Sequence, residues 1–171
     1  MTIIGADRPG LVQLVASRVA DQGGNWLESR MCHLGGQFAG IARVEVPLER
    51  VPELRQALRQ LEEGGLRVSV ETGEVSAPVA GGTAATIELV GQDRPGILRN
   101  VTSVLAAHGV NVEELTSECV SAPMGGGNLF QARVRVLVPT AVRLEAVRVD
   151  LEKIAADLMV DLTLRPVATA G

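Results

Sequence analysis

The sequence predicts an α+β protein built from two copies of one strand-helix-strand-strand-helix-strand module. Three observations carry that prediction. Gly5-Ala6-Asp7-Arg8-Pro9-Gly10 recurs as Gly91-Gln92-Asp93-Arg94-Pro95-Gly96, an offset of 86 residues that also aligns Gly23 with Gly109 and Asn25 with Asn111. Past a six-residue insertion the offset becomes 92, aligning Phe38 with Phe130 and Pro47 with Pro139. Finally, apolar residues spaced three and four apart take turns along the chain with residues that alternate one by one, the marks of helix and strand. A repeat of half the chain is far longer than the roughly 20–50 residues of a solenoid unit, so it marks two duplicated domains.

In the first copy, Thr2–Ile4 is a short strand, and Pro9 opens a helix whose Leu11, Val12, Val15 and Val19 share one side. Proline in the first turn and Gly23 past the last are the expected punctuation. Trp26–Leu34 and Phe38–Val46 are strands joined by a Gly35-Gly36 hairpin turn. Val51, Leu54, Leu58 and Leu61 stripe a second helix, Gly64-Gly65 ends it, and Leu66–Glu71 makes the last strand. The second copy starts with a strand over Ala84–Val90, about twice the length of its counterpart. Ile97, Leu98, Val101, Val104 and Leu105 stripe its first helix, and Leu144, Val147, Leu151, Ile154 and Leu158 its second. Between them Phe130, Ala132, Val134, Val136 and Val138 alternate with Gln131, Arg133 and Arg135. Such alternation means an antiparallel sheet with one covered face, so both helices of a copy lie on that face. The small, uncharged stretch from Ser76 to Gly82 reads as a linker. The expected organisation is a first domain over residues 1–75, a linker over 76–83 and a second domain over 84–167.

Each copy is near the lower size limit for an independent core. With 46% hydrophobic residues but two Phe, one Trp and no Tyr, that core must be aliphatic. A net charge of −4 and so few aromatics speak against direct contact with nucleic acid, whose readers carry basic patches and stacking rings. No stretch approaches the ~18–20 uninterrupted apolar residues of a membrane span, and the N-terminus shows no secretory pattern. Cys32 and Cys119 are too isolated for a disulfide framework or a metal site. A cytoplasmic protein without a cofactor is expected.

The repeated turn is the best candidate for chemistry. It joins the first strand to the first helix, leaving the backbone N–H groups of Gly10, Leu11 and Val12, and of Gly96, Ile97 and Leu98, free at a helix start. Such a start favours an anion. Asp7 and Asp93 would repel a phosphate but suit an ammonium group, so the mixed-sign turn fits an amino acid. The plain structural alternative is that the aspartate caps the helix while Pro-Gly sets the turn. Asn25 and Asn111 open the second strand, where they either satisfy their own turn or reach a ligand. Catalytic constellations are weak. Neighbouring Cys32 and His33 point to opposite faces of a strand, and His108 at a helix end suits the helix dipole. Met124-Gly125-Gly126-Gly127 lacks the Gly-Lys-Ser/Thr of a phosphate loop and fits an enlarged hairpin loop. No catalytic or metal-binding residue is assigned.

The element order, the Asp-Arg-Pro-Gly turn with its following apolar residue, the Gly-x-Asn after the first helix and the Phe-opened third strand together resemble the ACT domain, a ferredoxin-like amino-acid-sensing module. Two such modules without an attached enzyme resemble the glycine cleavage system transcriptional repressor group. The resemblance implies effector binding where modules pair, near the turn and the start of the second strand. That points to Asp7, Pro9, Gly10, Leu11 and Asn25, and to Asp93, Pro95, Gly96, Ile97 and Asn111. It also implies that paired modules align their sheets side by side with the helices on one face. Homodimerisation through helices or remaining sheet edges is a separate expectation, since pairing covers exposed N–H and C=O groups. The function expected is a non-enzymatic regulator that senses a small amino acid, glycine or serine foremost, and acts through a protein partner, a transcription factor or an enzyme. A scaffold without ligand and a stand-alone regulatory subunit of an amino-acid-pathway enzyme are the alternatives.

Overall fold

The computed structural model describes residues 1–73, 81–122 and 126–167. The chain divides into two compact units, Met1–Val75 and Ser76–Gly171. The first runs β1 (Thr2–Ala6), α1 (Leu11–Asp21), β2 (Asn25–Leu34), β3 (Gln37–Glu45), α2 (Val51–Arg59) and β4 (Leu66–Ser69), with 3-10 turns on either side of α2. Its strands form one antiparallel sheet in the order β2-β3-β1-β4. Ile3 sits at the centre, opposite Gly40 on β3 and Val68 on β4. Leu11, Val15 and Val19 of α1 and Leu54 and Leu58 of α2 close over that face. Burying each such aliphatic side chain contributes about 1.5–3 kcal/mol.

The second unit runs β5 (Gly82–Gln92), α3 (Ile97–Ala107), β6 (Asn111–Ser121), β7 (Asn128–Pro139), α4 (Leu144–Leu158) and β8 (Val160–Pro166), with its sheet in the order β6-β7-β5-β8. The alternation expected along β7 is present: Ala132, Val134, Val136 and Val138 are buried, while Arg133 and Arg135 lie exposed on the open face. There Arg133 pairs with Glu88 at 3.8 Å and Arg135 with Glu114 at 3.2 Å. Among the described residues no polar or charged side chain is buried in either core. Each unit is thus a four-stranded antiparallel sheet with two helices on one face, the ferredoxin-like βαββαβ arrangement.

Several local expectations change. Pro9 does not open α1. The Pro9-Gly10 pair forms a turn, Gly10 is the N-cap at φ 90°, and the helix starts at Leu11. Gly96 does the same at φ 94°. Only glycine holds such a left-handed corner at little cost, which is why it ends the motif in both copies. β1 is longer than expected at five residues and β5 reaches eleven. Gly82 and Thr83, taken as linker, pair with Pro139 and Val138 as the first rungs of β5, and 74–80 lie outside the described residues. α2 stops at Arg59, and Leu61 belongs to the 3-10 turn that follows. β4 ends at Ser69 rather than Glu71.

The insertion lengthens the second hairpin. Leu34 faces Gln37 across the two-glycine turn. The matching pair Val120 and Leu129 is followed by a further rung, Ser121 with Asn128, before the loop. Met124 and Gly125 of that loop lie outside the described residues. A second feature escapes periodicity altogether. β2 and β6 each carry a β-bulge near their start, between Trp26 and Glu28 and between Val112 and Glu114.

Candidate functional site

The two turns are built alike from the backbone outward. Helical hydrogen bonding begins with Leu14 N–H donating to Gly10 O at 2.9 Å, and with Asn100 N–H donating to Gly96 O at 3.0 Å. The amides before these have no helical acceptor. No side chain caps either helix, and no acidic residue stands in either first turn. The structural alternative, in which the aspartate caps the helix, therefore does not describe these turns. Instead each aspartate anchors its loop through its backbone: Asp7 N–H donates to Gly36 O and Asp93 N–H to Asn128 O, both at 2.9 Å. Arg8 reaches Gly64 O at 3.2 Å, and Arg94 reaches Gln92 Oε1 at 3.3 Å.

The carboxylates meet side chains that sequence reasoning missed. Asp7 Oδ2 lies 3.7 Å from His33 Nε2. In the second unit Asp93 acts on Cys119, whose thiol is pushed above its ordinary value by desolvation first, then by the charge of Asp93 and a hydrogen bond with it. His33 and Cys119 stand 86 residues apart, so they occupy one position of the repeat. That offset was the signal that could have paired them. On β2, His33 faces Phe38 while Cys32 faces Ala39, so the two neighbours do occupy opposite faces. His108, expected at a helix end, also bonds across to α4, with Nε2 2.8 Å from Asp150 Oδ2.

Asp7, Pro9, Gly10 and Leu11 cluster on one turn, as do Asp93, Pro95, Gly96 and Ile97, with Leu11 and Ile97 buried beneath. Asn25 and Asn111 do not join them within a unit. Each begins its strand beyond the far end of the first helix, and α1 and α3 have eleven residues each, about 16 Å at 1.5 Å per residue. Asn25 pairs with Glu45 and Asn111 with Leu137. The Asn111 amide donates to Glu113 Oε1, on the bulge of β6. Glu113 is thus a further polar neighbour of the candidate asparagine, and no periodicity could have shown it.

A depression of about 260 Å³ on the open face of the second sheet is lined by Glu88, Thr116, Glu118, Gln131 and Arg133 among others. It contains none of the ten candidate residues. Among the described residues no group of three or more His, Cys, Asp or Glu could hold a metal ion, and no helix is long and apolar enough to cross a membrane.

Two ferredoxin-like modules, each with a glycine-cornered turn between first strand and first helix, define a tandem α+β protein of two small repeated domains. The chain belongs to the ACT-domain family, which it matches over residues 1–71 and again over 85–155. A crystal structure of an unknown protein from Galdieria sulphuraria is 30% identical, with a TM-score of 0.84 over 98% of this chain and 96% of that one. The crystal structure of a candidate glycine cleavage system transcriptional repressor shares the fold, at 17% identity and a TM-score of 0.76 over 98% of this chain and 95% of that one. The UPF0237 protein of Methanopyrus kandleri is 31% identical over 84 residues, 48% of this chain and 87% of its own length.

Proposed function

We propose that this chain is a non-enzymatic regulator in the cytoplasm that binds a small amino acid, glycine or serine foremost, and passes on its presence through a protein partner. The observation that carries this reading is the turn built twice: an uncapped helix start, cornered by glycine, with a carboxylate beside it. Free amides and the helix dipole suit a carboxylate, the aspartate suits an ammonium group, and an amino acid holds both about two bonds apart. Membership of the ACT-domain family supports the sensing role. The fold shared with the candidate repressor supports a partner that regulates transcription of glycine cleavage, with an enzyme of amino-acid metabolism as the other choice.

The test is calorimetric titration of the full chain with glycine, serine and the remaining proteinogenic amino acids. Binding of one of them below millimolar affinity, weakened by Asp93→Asn, is expected. If none binds in that range, the sensor reading is abandoned. A ligand-free interaction module is the second reading, favoured by the contact Asp7 already makes with His33. It predicts flat titrations together with capture of the same protein partner by wild type and Asp93→Asn.

A further inference from the structure

We propose that the residue facing the turn's aspartate, His33 in the first module and Cys119 in the second, decides when that carboxylate is free for a ligand's ammonium group, so that the first turn is switched by pH and the second is not. This rests on reading the turn as an amino-acid site.

His33 and Cys119 fall at one position of the repeat. In the first module an imidazole nitrogen stands 3.7 Å from the Asp7 carboxylate. Histidine is the side chain that changes charge between about pH 5 and 8. As imidazolium, His33 satisfies Asp7 with a cation of its own, and an incoming ammonium group must displace it. As neutral imidazole it leaves the carboxylate charge unmatched. Among the described residues Asp7 has no other ion-pair partner. Arg8, beside Asp7 in the turn, is held by Gly64 O. The first turn of α1 carries no acidic residue. The β3 residue opposite His33 is the neutral Phe38, and its neighbours on β2 are Cys32 and Leu34.

In the second module the facing group is a thiol. Whatever its protonation state, it brings no positive charge. The upward push on that thiol keeps it protonated through the same pH interval. No positive charge therefore appears or disappears opposite Asp93 over that interval. Both members of the His33–Asp7 pair are substantially exposed, at 60% and 43%. The competition is then worth what surface ion pairs are worth, about two- to fivefold in an equilibrium constant.

The experiment is calorimetry of the full chain with glycine as probe at pH 5.5 and 8.0. Asp93→Asn leaves the first turn to bind, and its affinity should rise two- to fivefold from the lower pH to the higher. Adding His33→Gln should remove that rise. Asp7→Asn leaves the second turn, whose affinity should be level, and adding Cys119→His should create a rise. A level first turn, or a rise that survives His33→Gln, overturns the proposal. A ligand-free measurement separates this from failure of the sensor reading. In thermal melts, His33→Gln and Asp7→Asn should be coupled at pH 5.5 and additive at pH 8.0. Coupling without any glycine binding would leave the contact standing and remove its ligand. Additivity at both pH values would overturn the proposal whatever glycine does.

Discussion

Replacing Gly10 with alanine separates two accounts of the turn by the sign of a single number. If Pro9 opened the helix, Gly10 would lie inside it. Gly→Ala would then stabilise by about 0.5–1 kcal/mol, through better helix propensity and a less flexible unfolded chain. With Gly10 at φ 90°, alanine must adopt the left-handed region, at a cost of about 1–2 kcal/mol. The stiffer unfolded chain returns up to about 1 kcal/mol of that. A built Cβ meets nothing within 4 Å, so no steric term is added. The net expectation is a loss of about 1 kcal/mol, and Gly10→Asn should lose less because asparagine tolerates this region. Trp26, the one tryptophan of the chain, packs partly buried against the first core, so its fluorescence reports this unit in a urea titration. At about 1 kcal/mol per molar of urea, the midpoint should fall by about 1 M. An unchanged or raised midpoint would refute the left-handed corner and, with it, the placement of the free amides. The same geometry makes Gly96→Val a poor probe of binding, since φ 94° strains valine whether or not a ligand is present.

Gly91→Ala should cost more than Gly96→Ala, about 1–3 kcal/mol. Its Cβ would sit 2.9 Å from Val160 Cβ and 3.1 Å from Val160 Cα, and adding Val160→Ala should recover part of the loss in denaturant titrations. Leu151→Ala, at a fully buried position of α4, should lose about 2–5 kcal/mol, read from the same curves. His108→Ala removes the link from the end of α3 to Asp150 on α4. A double-mutant cycle with Asp150→Ala should give a coupling of about 0.2–1 kcal/mol, the value of a partly exposed polar pair. Because Asp93 contributes to the raised titration of Cys119, Asp93→Asn should increase the thiolate fraction near neutrality. Iodoacetamide labelling of Cys119, followed by mass spectrometry, should then be faster than in wild type.

Periodicity was enough for the sheet and the helices because aliphatic side chains dominate both cores. Val134, Val136 and Val138 on β7, and Val147 and Leu151 on α4, have no competing way to hide. The corners were harder. Proline before glycine looks the same whether the helix begins at the proline or after the glycine, and only the sign of φ at Gly10 and Gly96 distinguishes them. Gly5 and Gly91 were visible as repeated letters but not as contacts. A side chain there would strike Gly65 O in the first unit and Val160 in the second. The partners of the aspartates were hidden because Asp7 and His33 are far apart in sequence. Asn25 and Asn111 were grouped with the turn by resemblance, whereas within each unit the length of a helix lies between them.

The bulges near the start of β2 and β6 set which side of the sheet each strand's first residues occupy. One extra residue shifts the phase of everything before it, so Trp26 faces the core with Val44 while Glu28, two places on, lies beside Arg43 on the open side. Val112 and Glu114 repeat this register opposite Val136 and Arg135, although Val112 itself lies exposed. Removing such a residue would turn the start of the strand inside out. The irregularity is shared at one offset of the repeat, whereas the longer second hairpin and the exchange of histidine for cysteine at the position facing the aspartate are not. The two copies thus keep one scaffold to the detail of its misfit residue and differ at the turns it carries.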